Sequence, residues 1–157
     1  MKKIAIVEDD ETIRKELVCL LKNANYDAYC VEDFSNVDES LLASNADLVL
    51  LDINIPCLNG KEVLKKIREK SNIPVIMVTS NNNELDEALS ITYGADDYIT
   101  KPYNPNILIL RIQSVLKRCD NTEQNKMYRG FFINKSRCEL ESGDKVIELT
   151  KNEMIIF

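Results

Sequence analysis

The chain has 157 residues, of which 45% are hydrophobic and 29% charged, and its net charge at pH 7 is −6. A chain of this length suits one complete domain and part of a second. The acidic balance argues against unaided nucleic-acid binding, which needs clustered lysine and arginine, and no apolar stretch approaches the ~20 residues that span a bilayer, so we expect a cytoplasmic protein with no membrane partner.

Short apolar runs alternate with amphipathic segments from residue 3 to about residue 118, which is the pattern of repeated βαβ units. Strands are predicted near 3–8, 27–31, 47–52, 74–78 and 96–100. A helix is predicted after each strand, and the weakest of these predictions is 35–43, where few apolar residues mark a face. Right-handed crossovers then favour an α/β fold with a doubly wound, five-stranded parallel sheet in the order 2-1-3-4-5.

A change of composition divides the rest of the chain. The polar residues 120–127 lack apolar periodicity and are predicted to form a linker between a first domain, 1–119, and a second domain, 128–157. The second domain is predicted to begin with a partial antiparallel sheet, with strands near 128–133, 138–140 and 146–149. Thr150 and Glu153 then form a capping box that predicts the start of a helix. We expect this domain to continue past Phe157, because the apolar face of that helix has nothing to pack on.

Charged side chains stand at the ends of three predicted strands. Glu8 and Asp9 follow the first strand, Asp52 follows the third and Lys101 follows the fifth. Ligands of such sheets bind outside the carboxyl ends of the strands, where the strand order reverses, so we expect these side chains to converge. Packed carboxylates repel one another, and this cluster therefore indicates a bound cation, with Asp52 free to act as a nucleophile.

Oxygen ligands of this kind suit Mg²⁺, and the absence of histidine makes softer metals poor candidates. Asp9 and Asp52 are predicted as direct ligands, the backbone carbonyl of Asn54 as a third, and Glu8 as the holder of a metal-bound water. Mg²⁺ and Lys101 together would neutralise the charge on a phosphoryl group that passes to Asp52.

Further predictions concern the fourth and fifth strands. Thr79 ends the fourth strand, where its hydroxyl can donate to a phosphate oxygen, and Tyr98 on the fifth strand is predicted to move into the space that the threonine vacates. A cis Lys101–Pro102 bond is predicted to turn the lysine inward. Each of these residues alone has a plainer interpretation as a cap, a turn or a core residue. Their joint occurrence at the ends of four strands favours a functional site.

Four motifs resemble the receiver domain of two-component response regulators, and the resemblance covers residues 2–118. They are Ile-Val-Glu-Asp-Asp at 6–10, the segment 51–60, Val-Thr-Ser at 78–80 and the segment 94–102. The resemblance implies that Glu8 and Asp9 bind Mg²⁺ and that Asp52 accepts a phosphoryl group from a sensor histidine kinase. It also implies that Thr79 and Tyr98 relay the change and that Lys101 contacts the phosphate.

The tail of the chain resembles the start of an OmpR/PhoB-type winged-helix DNA-binding domain, which implies control of transcription. Its DNA-recognition helix would lie past Phe157. In that subfamily, phosphorylation favours a homodimer through the fourth helix, the fifth strand and the fifth helix. The charged positions of that interface are matched here by Asp96, Asp97, Arg111 and Arg118.

Two positions depart from that interface. Glu87 stands where the family has a basic residue, and Ile107 where it has an acidic one, so one ion pair is missing. Exposed pairs contribute only ~0 to 1 kcal/mol, which weakens but does not exclude a dimer, and a solvated charged face is the alternative. Asn54 and Asn81 stand two residues past Asp52 and Thr79, at positions that vary in the family, and we hypothesise that they tune the lifetime of the phosphoryl group.

The main alternative is a phosphatase or phosphotransferase that uses Asp52 as a covalent nucleophile. Such an enzyme needs an acid/base aspartate two residues after the nucleophile, where this chain has Asn54. We therefore expect no enzyme with turnover. A stand-alone binding module is disfavoured by the additional strands predicted after the linker.

Overall fold

A computed structural model describes residues 1–56, 58–80, 88, 91–123, 127–128, 131–134, 139–142 and 145–148. The chain divides into two compact units, Met1–Leu116 and Lys117–Phe157. Among the described residues, no helix is both long enough and apolar enough to cross a membrane.

The first unit is built on a five-stranded sheet with two further short strands beside it. The strands in chain order are β1 (Lys3–Val7), β2 (Asp27–Cys30), β3 (Leu48–Leu51), β4 (Asn54–Ile55), β5 (Leu58–Asn59), β6 (Val75–Thr79) and β7 (Asp97–Thr100). The main sheet has the order β2-β1-β3-β6-β7 and all its neighbouring strands are parallel. This confirms the predicted order 2-1-3-4-5. The antiparallel pair β4 and β5 was not expected from the sequence.

Helices follow the strands as predicted. They are α1 (Glu11–Asn23), α2 (Val37–Ala43), α3 (Gly60–Lys70) and α4 (Pro105–Glu123). The uncertain helix at 35–43 is present as α2, with a turn of 3₁₀ helix at Phe34–Asn36 before it. Most of the helix predicted between the fourth and fifth strands of the main sheet lies outside the described residues. The residues of this segment that the structure describes as helical are 88, 91 and 92.

The sheet is apolar because helices cover both of its faces. Every residue of β3 and of β6 is buried. Side chains alternate between the two faces along a strand, and one face packs in a cluster with Leu41 of α2 and with Val63 and Ile67 of α3. Full burial of each such side chain contributes roughly 1.5 to 3 kcal/mol. The carboxyl ends of the strands are therefore held on a rigid support.

The second unit contains a four-stranded antiparallel sheet in the order β11-β10-β9-β8. Its strands are β8 (Met127–Tyr128), β9 (Phe131–Asn134), β10 (Glu139–Ser142) and β11 (Lys145–Glu148). The prediction of one strand over 128–133 is wrong, because β8 and β9 are separate strands that pair antiparallel with each other. The capping box at Thr150 and Glu153 lies outside the described residues.

The predicted linker is shorter than its composition indicates. Helix α4 continues to Glu123, so residues 120–123 are helical, and β8 begins at Met127. Neither glycine nor proline occurs in 120–123. An existing helix gains one hydrogen bond for each residue that it adds, and it can therefore extend through polar residues that would not start a helix.

Candidate functional site

The turn between β1 and α1 carries the first two acidic residues of the site. It is short because α1 begins at once: the side chain of Asp10 caps the helix by accepting hydrogen bonds from the backbone N–H groups of Thr12 and Ile13, at 2.8 and 3.1 Å. Glu8 is 3% exposed, whereas Asp9 is exposed. The turn thus presents one buried and one accessible carboxylate at the end of β1.

Asp52 directly follows β3, beside that turn. Its backbone N–H donates to the carbonyl of Val7 at 2.9 Å, which holds the ends of β1 and β3 together. The Asp52 side chain is buried, and its Oδ1 accepts a hydrogen bond from the backbone N–H of Asn54 at 3.0 Å. The carboxylate is therefore fixed in orientation.

Lys101 completes the site from the end of β7. Its Nζ donates to Asp52 Oδ2 at 2.7 Å and also to Glu8 Oε2. Its backbone N–H donates to the carbonyl of Thr79 at 2.7 Å, and the Lys101–Pro102 peptide bond is cis, as predicted. The fold therefore brings the charges from the ends of β1, β3 and β7 to one point.

The acidic cluster could hold a metal ion. One carboxylate oxygen each from Glu8, Asp9 and Asp52 lies within 4.8 Å of the other two. Three carboxylates face one ammonium, which leaves an excess of negative charge that a divalent cation would neutralise. An all-oxygen set of this kind suits a hard cation. The backbone carbonyl of Asn54 remains a predicted ligand.

Burial and charge shift the protonation of this cluster. Burial raises the pKa of Glu8 above its usual value, and the nearby ammonium of Lys101 only partly opposes this effect. Burial alone would lower the pKa of Lys101, but its hydrogen bonds to Asp52 and Glu8 outweigh burial and raise it. The neighbouring carboxylates thus favour the charged form of Lys101, whereas burial works against the ionised form of Glu8.

We expect Glu8→Gln to stabilise the metal-free protein at pH 7.5. The raised pKa means that the folded chain binds this proton more tightly than the unfolded chain, so the contribution of Glu8 is present below pH 4.5 and is lost as pH rises through the folded pKa. The gain should be largest at pH 7.5 and should shrink toward pH 4. Urea unfolding in a chelator at both pH values measures it, and a destabilised variant at pH 7.5 contradicts it.

Thr79 ends β6, the strand next to β3 and Asp52, and Tyr98 lies one strand further out, on β7. Thr79 is fully buried at the end of β6, and Tyr98, 6% exposed, packs in the core cluster beside Met77. The structure thus places Tyr98 inside, with the threonine at the edge of the site. Their role as a relay stays a prediction.

The residues predicted for a dimer interface make contacts within the chain. Arg111 Nη1 donates to Asp97 Oδ1 at 2.7 Å, and Arg118 is exposed on α4. Asp96 Oδ2 accepts hydrogen bonds from Arg68 Nη2 and from the backbone N–H of Val75, both at 2.9 Å. Asp96 therefore has a structural role that the sequence did not indicate. Glu87 and Asn81 lie outside the described residues, and Ile107 is 45% exposed.

Gly60 supports the site and was missed as a functional residue. A Cβ at this position would lie 2.9 Å from the Cα of Ile53 and 3.0 Å from the carbonyl carbon of Asp52. The Gly60 N–H donates to the carbonyl of Ile53 at 2.8 Å. The start of α3 thus packs directly against the backbone that carries Asp52, which only glycine allows. The sequence shows a glycine here but not the approach that requires it.

Comparison with proteins of known sequence identifies the family of this chain. The family model for the response regulator receiver domain matches residues 4–113. The response regulator proteins GraR of Staphylococcus epidermidis and Staphylococcus aureus are each 34% identical over 158 residues, which is 98% of this chain and 70% of theirs.

The solved structures that resemble this chain include receiver domains of response regulators. The BeF3-activated receiver domain of Klebsiella pneumoniae RstA has a TM-score of 0.71 and 29% identity, and the match covers 74% of this chain and 99% of that domain. The N-terminal domain of the nisin resistance regulator NsrR has a TM-score of 0.68 and 35% identity, covering 74% of this chain and 98% of that domain. With its sheet order and its strand-end charges, this chain belongs to the response regulator receiver family of two-component systems.

Proposed function

We propose that Asp52 accepts one phosphoryl group from a sensor histidine kinase in the cytoplasm, and that Mg²⁺ is required. The observation that carries this proposal is the geometry at Asp52: a buried, oriented carboxylate at a strand end, with Lys101 Nζ at 2.7 Å and two more carboxylates beside it. Mg²⁺ bound by Asp9, Asp52 and the Asn54 carbonyl, with Glu8 holding a water, would neutralise charge on the phosphoryl oxygens.

Residues of this chain provide the nucleophile, hold it in position and neutralise charge during the transfer. A bond forms between an Asp52 carboxylate oxygen and phosphorus as the bond from phosphorus to the histidine nitrogen breaks. The Asn54 N–H holds the carboxylate in place during the attack. Lys101 is already at Asp52 and neutralises the charge that the phosphoryl group brings. The product is an acyl phosphate.

Phosphorylation then acts as a switch. The new group adds about −1.5 to −2 charge and three acceptor oxygens. Thr79 and Lys101 donate hydrogen bonds to these oxygens. A shift from 1:99 to 99:1 between two states needs about 5.5 kcal/mol. Hydrogen bonds at the site supply part of that energy, with the relay through Tyr98 and a homodimer supplying the remainder. Asn54 and Asn81 set the lifetime of the phosphoryl group.

The output that we propose is control of transcription through a winged-helix domain that begins in the second unit. The antiparallel sheet of that unit and the match to GraR over 98% of this chain support it. A dimer through Asp96, Asp97, Arg111 and Arg118 would have to exchange the Asp97–Arg111 pair between chains. Arg111 is 43% exposed, so the exchange involves only about 0 to 1 kcal/mol.

A phosphatase is the second candidate, and Asn54 argues against it because no aspartate stands there to act as acid or base. Incubation with a small acyl phosphate and Mg²⁺, followed by intact-mass measurement and a phosphate-release assay, tests the two functions. We expect one stable phosphoryl group per chain, absent in Asp52→Asn and retained in the control Asp27→Asn, which changes an exposed aspartate at the start of β2. Repeated rapid turnover would indicate the enzyme instead.

A further inference from the structure

One residue of α1 holds the whole turn that presents Glu8 and Asp9. Arg14 Nη1 donates to the carbonyl of Glu8 at 2.9 Å and to the carbonyl of Asp9 at 3.1 Å. The backbone N–H of Arg14 donates to the carbonyl of Asp10 at 2.9 Å. Arg14 therefore donates to three consecutive carbonyls, to two of them through its side chain.

These contacts fix the backbone and not the carboxylates. The direction of each carboxylate is set by the backbone from which it projects, and metal ligands must be held within about 0.5 Å of their productive positions. The Arg14 guanidinium is half-buried, planar and always charged, so its hydrogen bonds to the carbonyls are charge-assisted. The turn is thereby held with its carbonyls toward α1 and with Glu8 and Asp9 toward Asp52.

We propose that Arg14 is a positioning residue that orients Glu8 and Asp9 for Mg²⁺ binding and so for phosphoryl transfer to Asp52. This inference rests on the proposed function and deepens it, because it assigns the geometry of the metal ligands to a residue that touches neither the metal nor the phosphoryl group. In the sequence, Arg14 stands three residues before Leu17 and seven before Leu21, and nothing in that spacing indicates this role.

The positive charge of Arg14 also repels a bound cation, and this repulsion weakens Mg²⁺ binding, whereas the positioning of the ligands strengthens it. If Arg14 were only a nearby charge, its removal would let Mg²⁺ bind more tightly, because one source of repulsion would be gone. If Arg14 positions the ligands, its removal weakens binding. The sign of the change therefore separates the two roles without any measurement of phosphorylation.

Calorimetric titration of the full chain with Mg²⁺ provides the test. We expect Arg14→Met to raise the Kd by about 10-fold, as is typical when a residue that supports a metal ligand is lost. Arg14→Lys keeps the charge but lacks the planar fork, and it should give a Kd between those of Arg14→Met and the wild type. The control is Lys15→Met, which removes a neighbouring positive charge that pairs with Glu11 and donates to no carbonyl of the turn. Its Kd should be unchanged or lower.

Thermal melts in a chelator show whether each variant is folded, and Arg14→Lys carries the test if Arg14→Met does not fold. A Kd for Arg14→Met equal to or below that of the wild type overturns the role of Arg14 while leaving the proposed function in place. A Kd for Arg14→Lys equal to that of the wild type also overturns the role of Arg14 and leaves the proposed function in place. Failure of the wild-type chain to bind Mg²⁺ overturns the proposed function and this inference with it.

Discussion

Replacing Lys101 with methionine is expected to abolish phosphoryl acceptance by Asp52 and to destabilise the metal-free protein by about 3 kcal/mol at pH 7.5. The ammonium contacts both Asp52 and Glu8, which are 5% and 3% exposed. Without it, two adjacent buried carboxylates cannot both stay ionised, and one of them must take up a proton or bind a cation. Urea unfolding in a chelator and phosphorylation with a small acyl phosphate measure the two effects.

Two further results would identify electrostatic repulsion as the cause of the lost stability. The stability of Lys101→Met should recover as pH falls and the carboxylates are protonated. Mg²⁺ should also stabilise this variant more than it stabilises the wild type, without restoring phosphoryl acceptance. The control Lys66→Met removes an exposed lysine of α3 and should change neither property. Wild-type phosphorylation of Lys101→Met would contradict the role given to the ammonium.

Replacing Gly60 with alanine is expected to destabilise the fold by about 2 to 3 kcal/mol and to slow phosphorylation of the molecules that remain folded. The new methyl group would meet the backbone of Asp52 and Ile53, which cannot move aside as a flexible side chain can. Overpacking of this kind typically costs about 1 to 3 kcal/mol. Any relaxation of the clash must shift the segment that carries Asp52, so stability and phosphorylation should fall together.

Gly94 provides the matched control for Gly60. It has a φ of +96°, and a Cβ there would lie 3.1 to 3.3 Å from the Arg68 side chain, at the opposite ends of the strands from Asp52. Gly94→Ala should also destabilise the fold, by about 1 kcal/mol, but should leave the phosphorylation rate of folded molecules unchanged. A Gly60→Ala variant as stable as the wild type would contradict the close approach between α3 and the Asp52 backbone.

The sheet and the charged site could be predicted from the sequence because both depend on local patterns. Continuous apolar runs such as that of β3 mark strands buried on both faces. The order of the sheet and the rule for ligand position then bring Glu8, Asp52 and Lys101 together. Neither step requires knowledge of how individual side chains pack.

The parts that could not be predicted depend on contacts made only after folding. In the sequence, Arg14 and Arg68 look like ordinary polar residues of a helix, yet each donates hydrogen bonds to backbone carbonyls of another segment. Gly60 needs to be glycine because the start of α3 approaches the backbone of Asp52 and Ile53, and no local pattern shows that distance. The end of α4 was predicted as a linker because polar composition indicates a lack of packing, and a helix already formed does not need packing for its last turn.

A crystal structure of the full chain with Mg²⁺ and beryllium fluoride, a mimic of the phosphoryl group, tests most directly whether the strand-end charges form one phosphoryl-accepting metal site. We predict Mg²⁺ about 2.0 to 2.1 Å from carboxylate oxygens of Asp9 and Asp52. The beryllium should be bonded to a carboxylate oxygen of Asp52, and its fluorine atoms should accept hydrogen bonds from Lys101 and Thr79. Mg²⁺ bound away from these carboxylates, or beryllium fluoride attached to a residue other than Asp52, would contradict this prediction.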